Sequence, residues 1–533
     1  MGSDNTDNSY KHILKYTGVF ASVQMLGILV GVIRNKFTAI FLGPSGMGLL
    51  SLFNSTATFV SSATNLGIPT SGVKVIADSK GRADASCTAD TLRSADFKDD
   101  VTSSVSLVRS YTLLAASLGL IVCASLGPLL NLFTFSWGNH TLHYVFLAPT
   151  VFFTILAGGE TAVLKALGQL KALATQASLL AIFSLVVSVP VYWLLGESGI
   201  LAVLFLVAFC QWLLCLCFSR RIVRWHLEFS PRVLARGVPL LRLGISFVLS
   251  GMMNSGAEFF VRAFLNTHGG LEVVGLFNAG VTIVVLYAGM VFSVMESDFY
   301  PRLSSVMGGR KELEAVSLRN DMVNRQQEMN VLLIGPIISV MILFLPIIIP
   351  MLYSSEFGGM LYMAQLASMA MLFKAIYLPI EYLPLSRGES RVFFLQESFC
   401  VILLIVCEII GYMLVSSHAF LSVVPSSWLS HDVAGLTGLA SLTGLAGLGL
   451  GISLAYMIET LVVMLFSRVY YGYRMSRRAK GYVAFHFCVL FVLTLAAMID
   501  GESWMYMVGA ALLCVVSAGF SLRCVRKSLK ADL

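Results

Sequence analysis

The sequence predicts an all-α polytopic membrane protein of fourteen transmembrane helices with both termini in the cytoplasm. Two parallel-repeat six-helix bundles are followed by an extra helix pair. Three observations carry that prediction. The chain of 533 residues is 57% apolar and only 12% charged, with a mean hydropathy of +0.82, far from soluble composition. Its apolar residues gather into runs of about 20 or more, the length that a ~30 Å hydrocarbon core demands of a helix. Helices suit such runs because each pairs its own backbone polar groups. Of the 36 Lys and Arg residues, 32 fall in eight stretches that alternate with loops lacking both, the pattern of a chain woven through a bilayer with its basic side inside.

The basic stretches are Lys11 to Lys15, Lys74 to Arg109, Lys165 to Lys171, Arg220 to Arg242, Arg302 to Arg325, Arg387 to Arg391, Arg468 to Lys480 and Arg523 to Lys530. The loops between them, near Gly43, Ser136, Glu197, His268, Glu356, Val424 and Gly501, hold no Lys or Arg and so lie outside. Span 1 runs from about Lys15 to Leu42 and is an anchor, since no Ala-x-Ala cleavage signal follows it. The first six residues fit a myristoylation pattern, read here as coincidence in a chain already anchored many times. The net charge of +7 expresses topology and calls for no nucleic acid. Ten cysteines without a Cys-x-x-Cys spacing suggest neither a disulfide framework nor a zinc site.

Weak internal repeats organise the spans. Gly168-Gln169-Leu170-Lys171 with Gln176 and Ser178 matches Gly388-Glu389-Ser390-Arg391 with Gln396 and Ser398 at a constant offset of 220 residues. Gly48-Leu49-Leu50-Ser51 resembles Gly275-Leu276-Phe277-Asn278, and Leu216 to Arg220 resembles Met464 to Arg468. Six spans per repeat is an even number, so both halves share one orientation, a transporter architecture with cargo held between them. The expected domains are an N-lobe at 1–220, a cytoplasmic linker at 221–239, a C-lobe at 240–480, and spans 13 and 14 with the tail at 481–533. The linker reads as an ordinary positive-inside connection. Between Gly435 and Gly451 small residues recur every two to three positions, a surface for close helix packing. The longest outer loop, Ser416 to Asp432, is too short to hold a soluble catalytic domain.

Four cations sit inside the spans: Arg34, Lys36, Arg262 and Lys374. A charge in hydrocarbon costs several kcal/mol in simulation, or about 2.5–3.5 on insertion scales, and so faces a cavity or a partner. Arg34, nine residues before the Gly43 turn, lies ~13 Å deep at 1.5 Å per residue. Lys36 points about 200° away and can snorkel outward. Arg262 has Glu258 four residues earlier on its helical face, the spacing of a neutralised buried pair. Lys374 shares a stripe with Tyr377 and Glu381. Together these cations predict an anionic cargo, with Arg34, Arg262, Lys374 and Lys36 as its binding residues. Glu258 and Glu381 are the expected ion-coupling or cavity acids, because buried carboxylates are the usual proton or sodium handles of secondary transporters. Glu160, Glu296, Asp298, Glu408 and Glu459 also fall within or near span ends. No metal-ligand cluster, Walker-type loop or nucleophile elbow occurs. No catalytic residue or cofactor is therefore expected, and the energy source is an ion gradient, the membrane potential or the cargo's own gradient.

Phe20 to Gly48, with Arg34 followed by Leu42-Gly43-Pro44-Ser45-Gly46-Met47-Gly48, resembles the first hairpin of O-antigen translocases. So does Asp298-Phe299-Tyr300-Pro301-Arg302-Leu303-Ser304. These proteins belong to the multidrug/oligosaccharidyl-lipid/polysaccharide exporter superfamily, which also holds multidrug antiporters and the lipid II flippase. The resemblance implies two six-helix bundles around a central cationic cavity, in the bacterial cytoplasmic (inner) membrane. It implies a cargo of undecaprenyl-diphosphate-linked oligosaccharide, with membrane lipids and other polysaccharide assembly proteins as partners. Arg34 stands where the lipid II flippase pattern has a functionally important arginine. Many O-antigen translocases stop at twelve spans, whereas the extra pair here resembles the lipid II flippase arrangement. A lipid II flippase and an ion-coupled multidrug antiporter are the alternative readings.

Overall fold

The computed structural model describes residues 4–87, 94–135, 138–228, 231–305, 312–416, 436–500 and 503–532. The amino-terminal Met1 to Ser3, the outer loops at Ser136, Val424 and Gly501, and the side chains of Lys11, Lys15, Arg232, Arg236, Glu296, Asp298 and Arg302 lie outside the described residues.

The described chain is almost entirely helical, with short non-helical segments such as 221–228 and 471–476. In order the helices are α1 (Asp4–Thr64), α2 (Ile68–Cys87), α3 (Ser94–Ser125), α4 (Gly127–Thr134), α5 (Thr141–Ala166), α6 (Leu170–Leu195), α7 (Ile200–Arg220), α8 (Pro231–Ser305), α9 (Glu312–Leu352), α10 (Leu361–Ser386), α11 (Ser390–Ser416), α12 (Leu436–Tyr470), α13 (Arg477–Asp500) and α14 (Trp504–Asp532). Among the described residues, eleven helical stretches are long and apolar enough to cross a bilayer. Large apolar side chains such as Leu132, Trp193, Leu465 and Trp504 are exposed, as expected where lipid is the solvent.

Glycine sets the bends. α1 is broken at Gly43 (φ 63°, ψ −173°) and α8 at Gly270 (φ 85°, ψ 175°), backbone states that only glycine enters readily. The Gly168 and Gly388 turns, matched in the sequence repeat, also match in structure. Gly168 N donates to Lys165 O and Gln169 N to Leu164 O, while Gly388 N donates to Leu385 O and Glu389 N to Pro384 O. Each turn closes its helix with a left-handed glycine and carbonyls capped from beyond the end.

The internal contacts divide the chain into two units, residues 1–271 and 272–533. The boundary falls inside α8, because its first limb packs along α1. A Cβ on Gly244 would lie 2.1 Å from the Leu66 carbonyl oxygen, and one on Gly67 would lie 2.3 Å from that of Gly244. The backbones cross where neither has a side chain. Near that crossing the helix is interrupted at Leu66 (φ 54°) and Gly67 (φ 70°), and Asn65 Oδ1 accepts the Gly67 N–H at 2.8 Å.

The second unit uses the same device between α11 and α12. A Cβ on Gly447 would lie 2.1 Å from Gly411 O, and one on Gly451 would lie 2.3 Å from Cys407 O. Gly449 lies as closely against α10 at Met363. The small-residue stretch is thus a packing face.

Candidate functional site

In the first unit the intramembrane cations occupy two places. Arg34, half-buried on α1, faces α6, where Nη1 donates to Ser184 Oγ at 3.4 Å. Ser184 Oγ donates its own hydrogen bond to Ala181 O at 2.8 Å, which leaves its lone pairs to receive the guanidinium. Buried Tyr192 lies within electrostatic reach. Among the described residues the partners of Arg34 are neutral. Lys36 is half-buried and has interaction partners.

Arg262, on the first limb of α8, reaches across to α1, its Nε donating to Ser51 Oγ at 2.8 Å. Nη1 donates to Glu258 O at 3.0 Å and to Glu258 Oε2 at 3.2 Å. The expected pair with Glu258 therefore forms, but it is not buried as a unit. The Arg262 side chain is 13% exposed and that of Glu258 64%.

A fully buried ion pair appears where the sequence showed only topological charge. Arg109 on α3 grips Glu160 on α5 with both arms of its fork, at 2.8 Å and 3.0 Å, and the side chains are 1% and 3% exposed. Its Nη1 also donates to Arg224 O at 2.9 Å, and its guanidinium lies 4.9 Å from the centre of the Trp225 ring. Ser219 of α7 donates to the same carboxylate. The strand leaving α7 is held further by Ser106 Oγ donating to His226 O and by Glu228 N donating to Ser110 Oγ. Helices α3, α5 and α7 and the start of the linker are thus strapped together. Arg109 and Glu160 are 51 residues apart, so helical periodicity could not pair them.

In the second unit Lys374 is half-buried on α10, with Nζ 5.6 Å from the centre of the Phe292 ring. Buried Tyr377 and Glu381 follow on its stripe, and Lys374 lies within electrostatic reach of both Glu381 and Glu459. Two acids from other helices join it. Glu397 of α11 lies within electrostatic reach of Glu381, and buried Glu459 of α12 lies close to Cys400 and Tyr377. The rings of Tyr377 and Tyr456 lie 6.0 Å apart beside them. Sequence reading named Glu381 and Glu459 but not Glu397. Its signal was depth, since seven residues into α11 is ~10 Å along the helix, too far for a carboxylate without a partner. Among the described residues no group of three or more His, Cys, Asp or Glu is arranged to hold a metal ion.

The second unit also straps its outgoing segment, mostly with uncharged side chains, although Ser476 Oγ donates to Glu328 Oε1 at 2.6 Å. Asn320 Nδ2 donates to Gly472 O and Asn324 Nδ2 to Arg474 O. Asn324 Oδ1 accepts from Ser476 N at 2.8 Å and from Tyr473 at 3.2 Å, while Tyr473 also donates to Gln327 at 2.7 Å.

This architecture is that of a multi-pass membrane protein with the fold of the transporters and flippases of the exporter superfamily. A multidrug-resistance MATE family transporter in an inward-facing conformation superposes with a TM-score of 0.61 at 15% identity, over 85% of this chain and 98% of that one. The lipid II flippase MurJ in an inward closed conformation gives 0.59 at 15% identity, over 96% and 99%. A superfamily transporter from Pyrococcus furiosus, described as having a binding pocket of reversed polarity, gives 0.52 at 14% identity, over 86% and 96%. No curated protein sequence matches this chain. The sequence pattern of the polysaccharide biosynthesis proteins matches residues 13–307, and the chain belongs to that family.

Proposed function

We propose that the chain is a flippase that moves an undecaprenyl-diphosphate-linked oligosaccharide, an O-antigen or other surface-polysaccharide repeat unit, from the cytoplasmic to the periplasmic leaflet by alternating access. The observation that carries this reading is Arg34, a membrane-embedded guanidinium whose partners among the described residues are the neutral Ser184 and Tyr192. A diphosphate supplies the missing counter-charge, and the planar donor fork of arginine suits it. Arg262, held by Ser51 and a largely exposed Glu258, is the second binding residue, with Lys36 and Lys374 contributing positive potential. Membership of the polysaccharide biosynthesis family supports a glycan cargo over an organic cation.

Fourteen spans result when the limbs on either side of Gly43, Gly196–Gly199 and Gly270 are counted separately within the eleven candidates. Both termini then lie on the basic, cytoplasmic side of the bacterial inner membrane. Ion coupling belongs to the second unit. The closeness of Glu381 and Glu397 suits two carboxyl groups to sharing one proton, and Lys374 nearby offers the competing positive charge. Glu258 is the corresponding exposed acid of the first unit.

A lipid II flippase is the second reading, favoured by the 96% coverage of this chain in the MurJ superposition against 85% for the MATE transporter, the difference expected if the α13–α14 pair is shared. Flipping assays in proteoliposomes with fluorescent undecaprenyl-diphosphate oligosaccharide and fluorescent lipid II separate the two. Transport of the first substrate in preference to the second is the expected result. Preference for lipid II would move the chain to peptidoglycan synthesis, and efflux of organic cations with neither lipid flipped would contradict both.

A further inference from the structure

A pocket of about 550 Å³ opens between α11 and α12, at the end of both helices that carries the Arg387 turn. Its character changes along its length. At the turn it is polar: Arg387 Nε forms an ion pair with Glu389 Oε1 at 3.1 Å, Tyr471 donates to Glu389 Oε2 at 2.6 Å, and the Arg387 guanidinium lies 5.4 Å from the centre of the Tyr471 ring. Glu389 thus fixes the inner edge of the guanidinium. The terminal nitrogens of Arg387 make no hydrogen bond to a described residue, and its side chain is 30% exposed. Gln396, also lining the pocket, has neither its amide nitrogen nor its amide oxygen paired among the described residues.

Away from the turn the walls are apolar, formed by Leu395 and Phe399 of α11 and Val462 and Phe466 of α12. Leu395 is 67% exposed and Phe399 43%, so the pocket faces outward. From Ser390 to Phe399 the α11 wall runs about 14 Å, close to half of a ~30 Å hydrocarbon core. The polar end therefore sits at the headgroup level, where aromatic residues such as Tyr470 and Tyr471 belong, and the apolar wall spans one leaflet. A cation at the top of a leaflet-deep apolar slot, with a free amide part-way down its wall, matches an anionic phospholipid. The repeat shows that this is not a general consequence of the fold, because 220 residues earlier Arg387, Glu389 and Phe399 are replaced by Leu167, Gln169 and Leu179.

We propose that this pocket is a binding site for one anionic phospholipid of the cytoplasmic leaflet. Its phosphate lies against the terminal nitrogens of Arg387 and the amide of Gln396, and an acyl chain lies along Phe399 and Val462. The site rests on the topology given above and is independent of the cargo.

Native mass spectrometry of the full chain, exposed to equal amounts of phosphatidylglycerol and phosphatidylcholine, tests it. The wild type should retain one phosphatidylglycerol with a preference of about tenfold, the scale of a charge-assisted phosphate contact. Arg387→Ala should bring the preference close to parity and Arg387→Lys should keep part of it. Val462→Trp, which fills the apolar half without touching the Arg387–Glu389 pair, should abolish retention, with thermal unfolding confirming that each variant is folded. Equal retention of both lipids by wild type, or a preference unchanged in Arg387→Ala and Val462→Trp, would overturn the site. Retention of undecaprenyl phosphate with exclusion of phosphatidylglycerol would overturn it too, by assigning the pocket to a polyprenyl chain.

Discussion

The two units fasten the segment that leaves their last bundle helix to the same kind of partner, α3 in the first and α9 in the second, but with different chemistry. The first uses a buried ion pair, Arg109–Glu160, which also holds Arg224 O. The second relies mainly on the uncharged Asn320, Asn324, Gln327 and Tyr473, with the Glu328 carboxylate accepting from Ser476 beside them. Deep in the membrane the contrast reverses. The first unit holds Arg34 among neutral groups, and the second sets Lys374 beside the acids Glu381 and Glu459, with Glu397 next to both. A repeated backbone plan has been given different charges, which is the basis for proposing anion binding in one unit and proton handling in the other.

The sharpest way to break this comparison is to cut each strap. Glu160→Ala leaves Arg109 buried without its counter-ion and should cost about 3–5 kcal/mol, read as a large drop in the unfolding midpoint of the detergent-solubilised protein. Asn324→Ala removes uncharged hydrogen bonds and should cost less, about 1–3 kcal/mol. Equal losses would mean that the ion pair is not what distinguishes the first strap. The glycine crossings should respond alike, since both are backbone contacts. Gly244→Leu and Gly447→Leu each force a side chain into a carbonyl and should destabilise by about 1–3 kcal/mol, measured in the same way. The smallest effect belongs to Tyr473→Phe, which removes a hydroxyl that donates to Gln327 and Asn324. It should lower stability by about 1 kcal/mol, and a loss as large as that of Glu160→Ala would overturn the ranking.

Much of the fold could be read before any coordinates, because its determinants are local. Apolar runs and basic loops marked the spans, and the repeated Gly168 and Gly388 became superimposable turns. Lys374, Tyr377 and Glu381 lie along one helix, so periodicity alone brought them together. What periodicity could not supply was contact between helices. Arg109 was counted as one more cytoplasmic charge, and nothing near it in sequence pointed to Glu160. Glu397 and Glu459 reach Glu381 and Lys374 from two other helices. The exposure of Glu258 was also hidden, since an i, i+4 spacing fixes the neighbour of a side chain but not how much of it lipid or water can reach.

The proposed division of labour places anion recognition in the first unit and ion coupling in the second. The direct measurement is flipping of fluorescent undecaprenyl-diphosphate oligosaccharide in proteoliposomes, with and without an imposed proton gradient, by folded wild type, Arg34→Ala and Glu381→Gln. Arg34→Ala should lose about tenfold or more in flipping under both conditions, the scale of a lost charge-assisted contact. Glu381→Gln should keep basal flipping and lose the response to the gradient. A gradient response that survives in Glu381→Gln, or basal flipping that survives unchanged in Arg34→Ala, would contradict the account.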